Sequence, residues 1–146
     1  MKIITIENLI NKGAIYFNSI TEGFDKYDNY TLEGSEEEIF NEIYKLREEN
    51  GIENSFVDFY YGVLKEEEKD RIKKTIDNEY LSILAKYEDL KEVVYLELDN
   101  EILKLTAKLN AKEALFSTYY FTKDPCTIWG KYQLRYPVFK NREDIK

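Results

Sequence analysis

The chain has 146 residues, of which 43% are hydrophobic, 15% aromatic and 34% charged, and its formal net charge is -8. That length fits one domain burying about two-thirds of its unfolded surface, and 13 tyrosines with 8 phenylalanines exclude a disordered chain. The absence of histidine and the single cysteine exclude Ser-His and Cys-His dyads, His-ligated metals, an internal disulfide and any cysteine-rich zinc site.

No apolar run approaches the roughly 20 residues that span a bilayer. The opening M-K-I-I-T-I-E-N-L-I-N-K-G carries Glu7 and is too polar for a secretory signal. The expectation is therefore a reducing cytoplasm and no membrane. The charge is unevenly distributed. Residues 1–64 hold five basic and thirteen acidic side chains (5 - 13 = -8), and residues 65–102 hold seven and twelve (7 - 12 = -5). Residues 103–142 reverse the sign, with eight and two (8 - 2 = +6), and the last four residues add -1.

In chain order, Ile6, Leu9 and Ile10 have helical spacing and Gly13 follows as a stop. Residues 18–34 read as an irregular acidic loop punctuated by Gly23, Asn29 and Gly34. Ser35 opens a helix: Ser35-Glu36-Glu37-Glu38 is a capping box, and three carboxylates suit the positive end of the dipole. Ile39, Ile43 and Leu46 form its apolar stripe, and Asn50-Gly51 ends it. Ser55 and Asp58 repeat the capping pattern ahead of Phe56, Phe59, Tyr60, Val63 and Leu64, which predicts a short helix weakened by Gly62. A longer helix is predicted from Glu66 to Tyr87 on Ile72, Ile76, Tyr80, Ile83, Leu84 and Tyr87.

After Asp89 the period changes. K-E-V-V-Y-L-E-L-D reads as a strand closed by Asp99-Asn100. Leu103, Leu105, Ala107 and Leu109 alternate with polar residues, which predicts a half-buried strand with a helix as the alternative. A-L-F-S-T-Y-Y-F-T and C-T-I-W-G-K-Y-Q-L-R-Y-P-V-F complete a β-rich end. The expected fold is α+β. A helical N-terminal half of two to three helices packs on one face of a C-terminal antiparallel β-meander of about four strands, and residues 1–146 form a single domain.

Three stretches carry possible chemistry. Eight of the aromatics fall between Phe116 and Phe139. Core packing accounts for them, while the functional alternative is an RNA- or nucleotide-binding sheet face of Trp129, Lys131, Tyr132 and Arg135, with rings for stacking and cations for phosphate. The overall charge opposes that alternative. Glu97, Asp99 and Glu101 form an i, i+2, i+4 carboxylate series at a strand-to-turn junction. They are read as solvated turn residues, with Mg²⁺ binding in a metal-dependent hydrolase as the third reading. Cys126 has no histidine to activate it and is read as a buried, inert thiol. No glycine-rich phosphate loop is present, and no cofactor or metal is expected.

The acidic front, with Tyr16, Tyr27, Tyr30 and Tyr44 among its carboxylates, suits recognition of a basic protein. In size and charge the chain resembles small acidic single-domain proteins of phages and mobile elements that block a larger enzyme, such as CRISPR-nuclease inhibitors and toxin-immunity proteins. That analogy carries no site residues across. The leading expectation is a non-catalytic inhibitor of a basic protein, a nucleic-acid-handling enzyme or a toxin. Asp25, Tyr27, Asp28, Tyr30, Glu36 and Glu37 are the expected contacts.

Overall fold

The capping box predicted at Ser35 is formed in the computed structural model, which describes residues 2–142. Glu38 N–H donates to Ser35 Oγ at 3.1 Å and Ser35 N–H donates to Glu38 Oε1 at 3.0 Å. The helix it opens, Glu36–Asn50, stops at Gly51, whose φ of 89° lies in the region glycine alone enters freely. Among the described residues there are six α-helices: α1 Ile6–Asn11, α2 Ile20–Lys26, α3 Glu36–Asn50, α4 Glu66–Thr75, α5 Asn78–Leu84 and α6 Asn100–Ala111. Seven strands accompany them: β1 Ile3–Ile4, β2 Asp28–Glu33, β3 Ser55–Phe59, β4 Val94–Glu97, β5 Thr118–Phe121, β6 Cys126–Trp129 and β7 Arg135–Lys140.

The strands form one antiparallel sheet in the order β1-β4-β3-β5-β6-β7-β2. The fold is mixed, as expected, but larger in its sheet and differently arranged. Only β5-β6-β7 form a meander of consecutive neighbours. The expected helical front half instead contributes β2 at one edge and β3 near the centre.

Four local readings are corrected. Residues 18–34 are not an irregular loop, because Ser19 Oγ caps α2 and the chain continues into β2. Ser55–Phe59 is a strand rather than a helix start. It is buried throughout and paired on both sides, so burial does not alternate along it and no period-2 pattern shows. The helix predicted over 66–87 is broken where Ile76 takes extended backbone (φ -119°, ψ 153°), and α5 starts afresh after Asp77. Residues 102–109 form not the predicted strand but its stated alternative, a helix. Asp99 Oδ1 accepts from Ile102 N–H at 2.9 Å and caps α6, whose Ile102, Leu103, Leu105 and Leu109 are fully buried.

The sheet register sorts side chains onto two faces. Val57, Phe59, Leu96, Tyr119, Phe121, Ile128 and Val138 share the face covered by α3, α4, α5 and α6, and with them form the main core. Phe59 lies there without exposure, stacked on Tyr61 at 6.0 Å and edge-on to Tyr87 at 5.5 Å. Burying such a ring contributes about 1.5–3 kcal/mol. A buried polar network ties α6 to this face. Tyr119 Oη donates to Thr106 Oγ1 at 2.9 Å, and Ser117 N–H donates to Asn110 Oδ1 at 2.8 Å.

The helices do not cover one face alone, as the sequence suggests. On the opposite face Leu9 packs with Phe56 and Tyr120, and Ile15 and Phe17 pack with Phe139. Thr127 Oγ1 donates to the Ile15 carbonyl at 2.7 Å, pinning the N-terminal segment across the sheet. This cover is partial, and it leaves a cleft.

Candidate functional site

On the second face, four neighbouring strands present one transverse row of side chains. Tyr95 of β4 stands opposite Asp58 of β3, and Thr118 of β5 stands opposite Trp129 of β6. The middle of the row is joined by a hydrogen bond in which Thr118 N–H donates to Asp58 Oδ1 at 2.7 Å. The β3–β5 pairs run from Ser55↔Phe121 to Val57↔Tyr119. At the next position this side chain accepts the amide.

The row is the floor of a cleft of about 450 Å³, within the size range of small-molecule sites. Its walls are aromatic. Tyr16 and Tyr95 each lie 6.2 Å from Tyr120, and Phe17 stacks on Trp129 at 5.3 Å with an interplanar angle of 3°. Phe116, Tyr60 and Val63 complete the rim, and Tyr60 and Val63 are 40% and 52% exposed. Gly130 lines the cleft beside Trp129 because nothing larger fits. A Cβ there would lie 2.5 Å from the Ser117 carbonyl and 2.7 Å from Asn110 Oδ1.

Asp58 is the only charged residue lining this cleft among the described residues. It is 4% exposed, and the Thr118 amide is its only hydrogen-bond partner among them. Burial pushes its carboxyl up to about 7, opposed by the Thr118 bond. Burial likewise raises the phenols of Tyr60, Tyr95 and Tyr120, with the Asp58 charge adding to each. They remain neutral, amphipathic walls. The cleft thus combines π faces with one under-coordinated carboxyl, and it has no nucleophile paired with a base.

In the sequence Asp58 reads as the partner of Ser55 in a capping pattern, so this site is not foreseen there. The usable signal was a lone carboxylate inside S-F-V-D-F-Y-Y, an otherwise apolar and aromatic run. Burial of an unpaired charge is costly, so such a residue is either exposed or special.

The structure separates the four residues of the aromatic–basic face. Trp129 lines the cleft, but Tyr132 is 61% exposed and packs edge-on to Phe116 at 4.8 Å, outside it. Lys131 is exposed in the turn after β6, and Arg135 Nε pairs with Glu33 at 3.0 Å. Neither cation reaches the cleft.

The carboxylate series is likewise dispersed. Glu97 lies 3.5 Å from Lys2, Asp99 caps α6 and Glu101 holds Lys86 at 2.6 Å. Among the described residues no three His, Cys, Asp or Glu are grouped to hold a metal ion. Cys126 is buried and its thiol is pushed up to about 11 by burial.

The six acidic-front residues lie on three consecutive elements, and two of them, Glu36 and Glu37, face α5 and α6 rather than the sheet edge. Asp25 and Tyr27 end α2, Asp28 and Tyr30 belong to β2, and Glu36 and Glu37 form the first turn of α3. β2 is an edge strand among the described residues, and five of its six residues are exposed. Tyr30 is 48% exposed, with Lys140 Nζ 5.8 Å from its ring centroid. Asp25, Asp28 and Glu37 are exposed and form no salt bridge among the described residues, although the Arg142 guanidinium donates to the Asp25 backbone carbonyl and Lys140 stands opposite Asp28 in the sheet, whereas Glu36 is paired with Lys108 and Tyr27 packs on Phe17 at 5.8 Å. No helix among the described residues is long and apolar enough to cross a membrane. Family models, curated proteins and solved structures were all compared with this chain, and none matches.

Proposed function

We propose that the protein is a non-catalytic, acidic binding protein that inhibits a basic, nucleic-acid-handling partner. Its docking surface is β2 with the adjoining first turn of α3. The observation that carries this reading is the exposed edge strand with Asp25, Asp28 and Glu37 beside it, none of which forms a salt bridge among the described residues, although Lys140 stands opposite Asp28 in the sheet. An exposed edge offers unpaired backbone groups to an incoming strand, and unpaired carboxylates select for a basic one. The net charge of -8 adds long-range attraction that weakens with salt. Tyr30 supplies an amphipathic anchor at the centre of the strand.

The nucleotide-binding reading has less support, since its two cations lie away from the aromatic cleft and one is neutralised by Glu33. The metal-dependent reading has less still, because its three carboxylates serve a lysine, a helix cap and a second lysine.

An affinity capture from lysate of the native host, at low and at moderate salt with protein and nucleic acid both analysed, tests the proposal. The expected result is one stoichiometric basic protein, retained at moderate salt by the wild type and lost by the Asp25→Lys/Asp28→Lys/Glu37→Lys variant. Recovery of RNA without stoichiometric protein, or equal retention by the variant, overturns it.

A further inference from the structure

The second-face cleft lies at the middle of the sheet, and its chemistry is independent of the β2 edge. Three observations bear on what it takes. Its walls are ring faces, including the Phe17–Trp129 stack and the Tyr120 cluster. Among the described residues its only charged group is Asp58, in the floor, and no lysine or arginine lines it. That carboxyl is nine-tenths or more buried yet accepts only one hydrogen bond, from the Thr118 amide to Oδ1. Oδ2 has no donor among the described residues, although the side chain lines the cavity.

A carboxylate in such surroundings needs donors and positive charge. Aromatic faces attract cations through their quadrupoles. A phosphate or carboxylate ligand would meet repulsion from Asp58 and no compensating cation. We infer that the cleft binds an organic cation, an alkylammonium or guanidinium group whose N–H groups reach the free oxygen of Asp58 while its methylenes lie against the aromatic walls. The cation is either a free amine or the side chain of a basic polypeptide, and the two share this chemistry.

The site also has a predictable pH dependence. The titratable groups facing Asp58 are Tyr95 from β4, Tyr120 from β5, Tyr16 from the N-terminal segment and Tyr60 after β3. All are phenols, and burial raises those of Tyr60, Tyr95 and Tyr120, so the carboxyl of Asp58 is the group that changes charge between pH 5 and 8. Binding requires its ionised form. With the carboxyl at about 7, only about one molecule in 30 is competent at pH 5.5, so affinity there is roughly 30-fold weaker than at pH 8.

The experiment titrates butylammonium and butylguanidinium into the full-length protein at pH 8 and pH 5.5. Binding is read by calorimetry and by the fluorescence of Trp129, the only tryptophan. 1-Pentanol serves as the neutral control. The expected result is saturable binding of at least one cation at pH 8, about 30-fold weaker binding at pH 5.5, and none of pentanol. Asp58→Asn, which keeps an acceptor for the Thr118 amide, abolishes binding. The inference is overturned by no saturation at millimolar cation, by equal affinity for pentanol, or by an affinity independent of pH. Should Asp58→Asn fail to fold, the pH comparison on the wild type still decides. A backbone-blocked lysine that binds as tightly as butylammonium assigns the site to a polypeptide side chain. Tighter binding of butylammonium assigns it to a free amine.

Discussion

Replacing Asp58 with asparagine should stabilise the protein above neutrality, and the gain should vanish in acid. Asp58 is 4% exposed and accepts one hydrogen bond, from Thr118. Burial moves its carboxyl from an ordinary 3.8 up to about 7. The native state therefore holds this proton more tightly than the unfolded state does. Below about pH 4 both states are protonated and Asp58 imposes no charge penalty. As pH rises from 4 to 7 the unfolded chain ionises first, and native stability falls by about 1.4 kcal/mol per unit of difference in pKa, about 4 kcal/mol in all. Above 7 both states are ionised and the loss stays constant. Asparagine preserves the acceptor for Thr118 N–H and has no charge to desolvate. The difference in unfolding free energy between Asp58→Asn and wild type should thus be near zero at pH 4 and rise to at most about 4 kcal/mol at pH 8. Urea denaturation followed by circular dichroism at one-unit intervals measures it. Subtracting the wild-type curve cancels the other carboxylates, including Glu38, whose capping bonds to Ser35 lower its pKa and give the opposite slope. A difference that is flat with pH refutes the reasoning. So does a variant less stable than wild type at pH 8, which would mean that the ionised carboxylate is better solvated than its burial implies.

Two further outcomes follow from the packing around the cleft. Gly130→Ala forces a methyl into the Ser117 carbonyl and Asn110 Oδ1, and should destabilise the protein by about 1–3 kcal/mol, read as a lower thermal midpoint with a shifted Trp129 emission. Unchanged stability would mean that the β5–β6 end gives way more easily than its contacts suggest. The Cys126 thiol, buried and pushed up to about 11, should resist a thiol reagent at pH 8 in the native protein and react fully once unfolded. Rapid native labelling would contradict its placement under the helices.

The sequence was most readable where signals are local. Ser35 and Glu38 cap each other whatever surrounds them, so α3 was visible from four residues. Central β3 was not, because a strand buried on both faces loses its alternation, and Phe56, Phe59, Tyr60 and Val63 happen to fall at helical spacing. The reverse ambiguity affected α6. Leu103, Leu105 and Leu109 satisfy a period of two, but Ile102, Leu103, Thr106, Leu109 and Asn110 also form the buried helical face. Asp99-Asn100 has the composition of a turn, but the Asp99 side chain is the helix cap. Edge strand β2 escaped notice for a different reason: its side chains are mostly exposed and polar, and its structure comes from pairing with β7, more than a hundred residues away. The acidic edge was legible as composition, since charge needs no fold to be counted. The cleft was not legible, because Asp58, Thr118, Tyr95 and Trp129 come from four strands whose order the sequence does not state.

The central claim is that an acidic edge captures a basic partner, and the most direct measurement is the association rate of the purified partner with the wild type and with Asp25→Lys/Asp28→Lys/Glu37→Lys, across a range of salt. Reversing these three exposed carboxylates, which form no salt bridge among the described residues, should slow association at least tenfold at low salt and remove most of its salt dependence. An unchanged rate with unchanged salt dependence would place the interface elsewhere on the molecule and contradict the account.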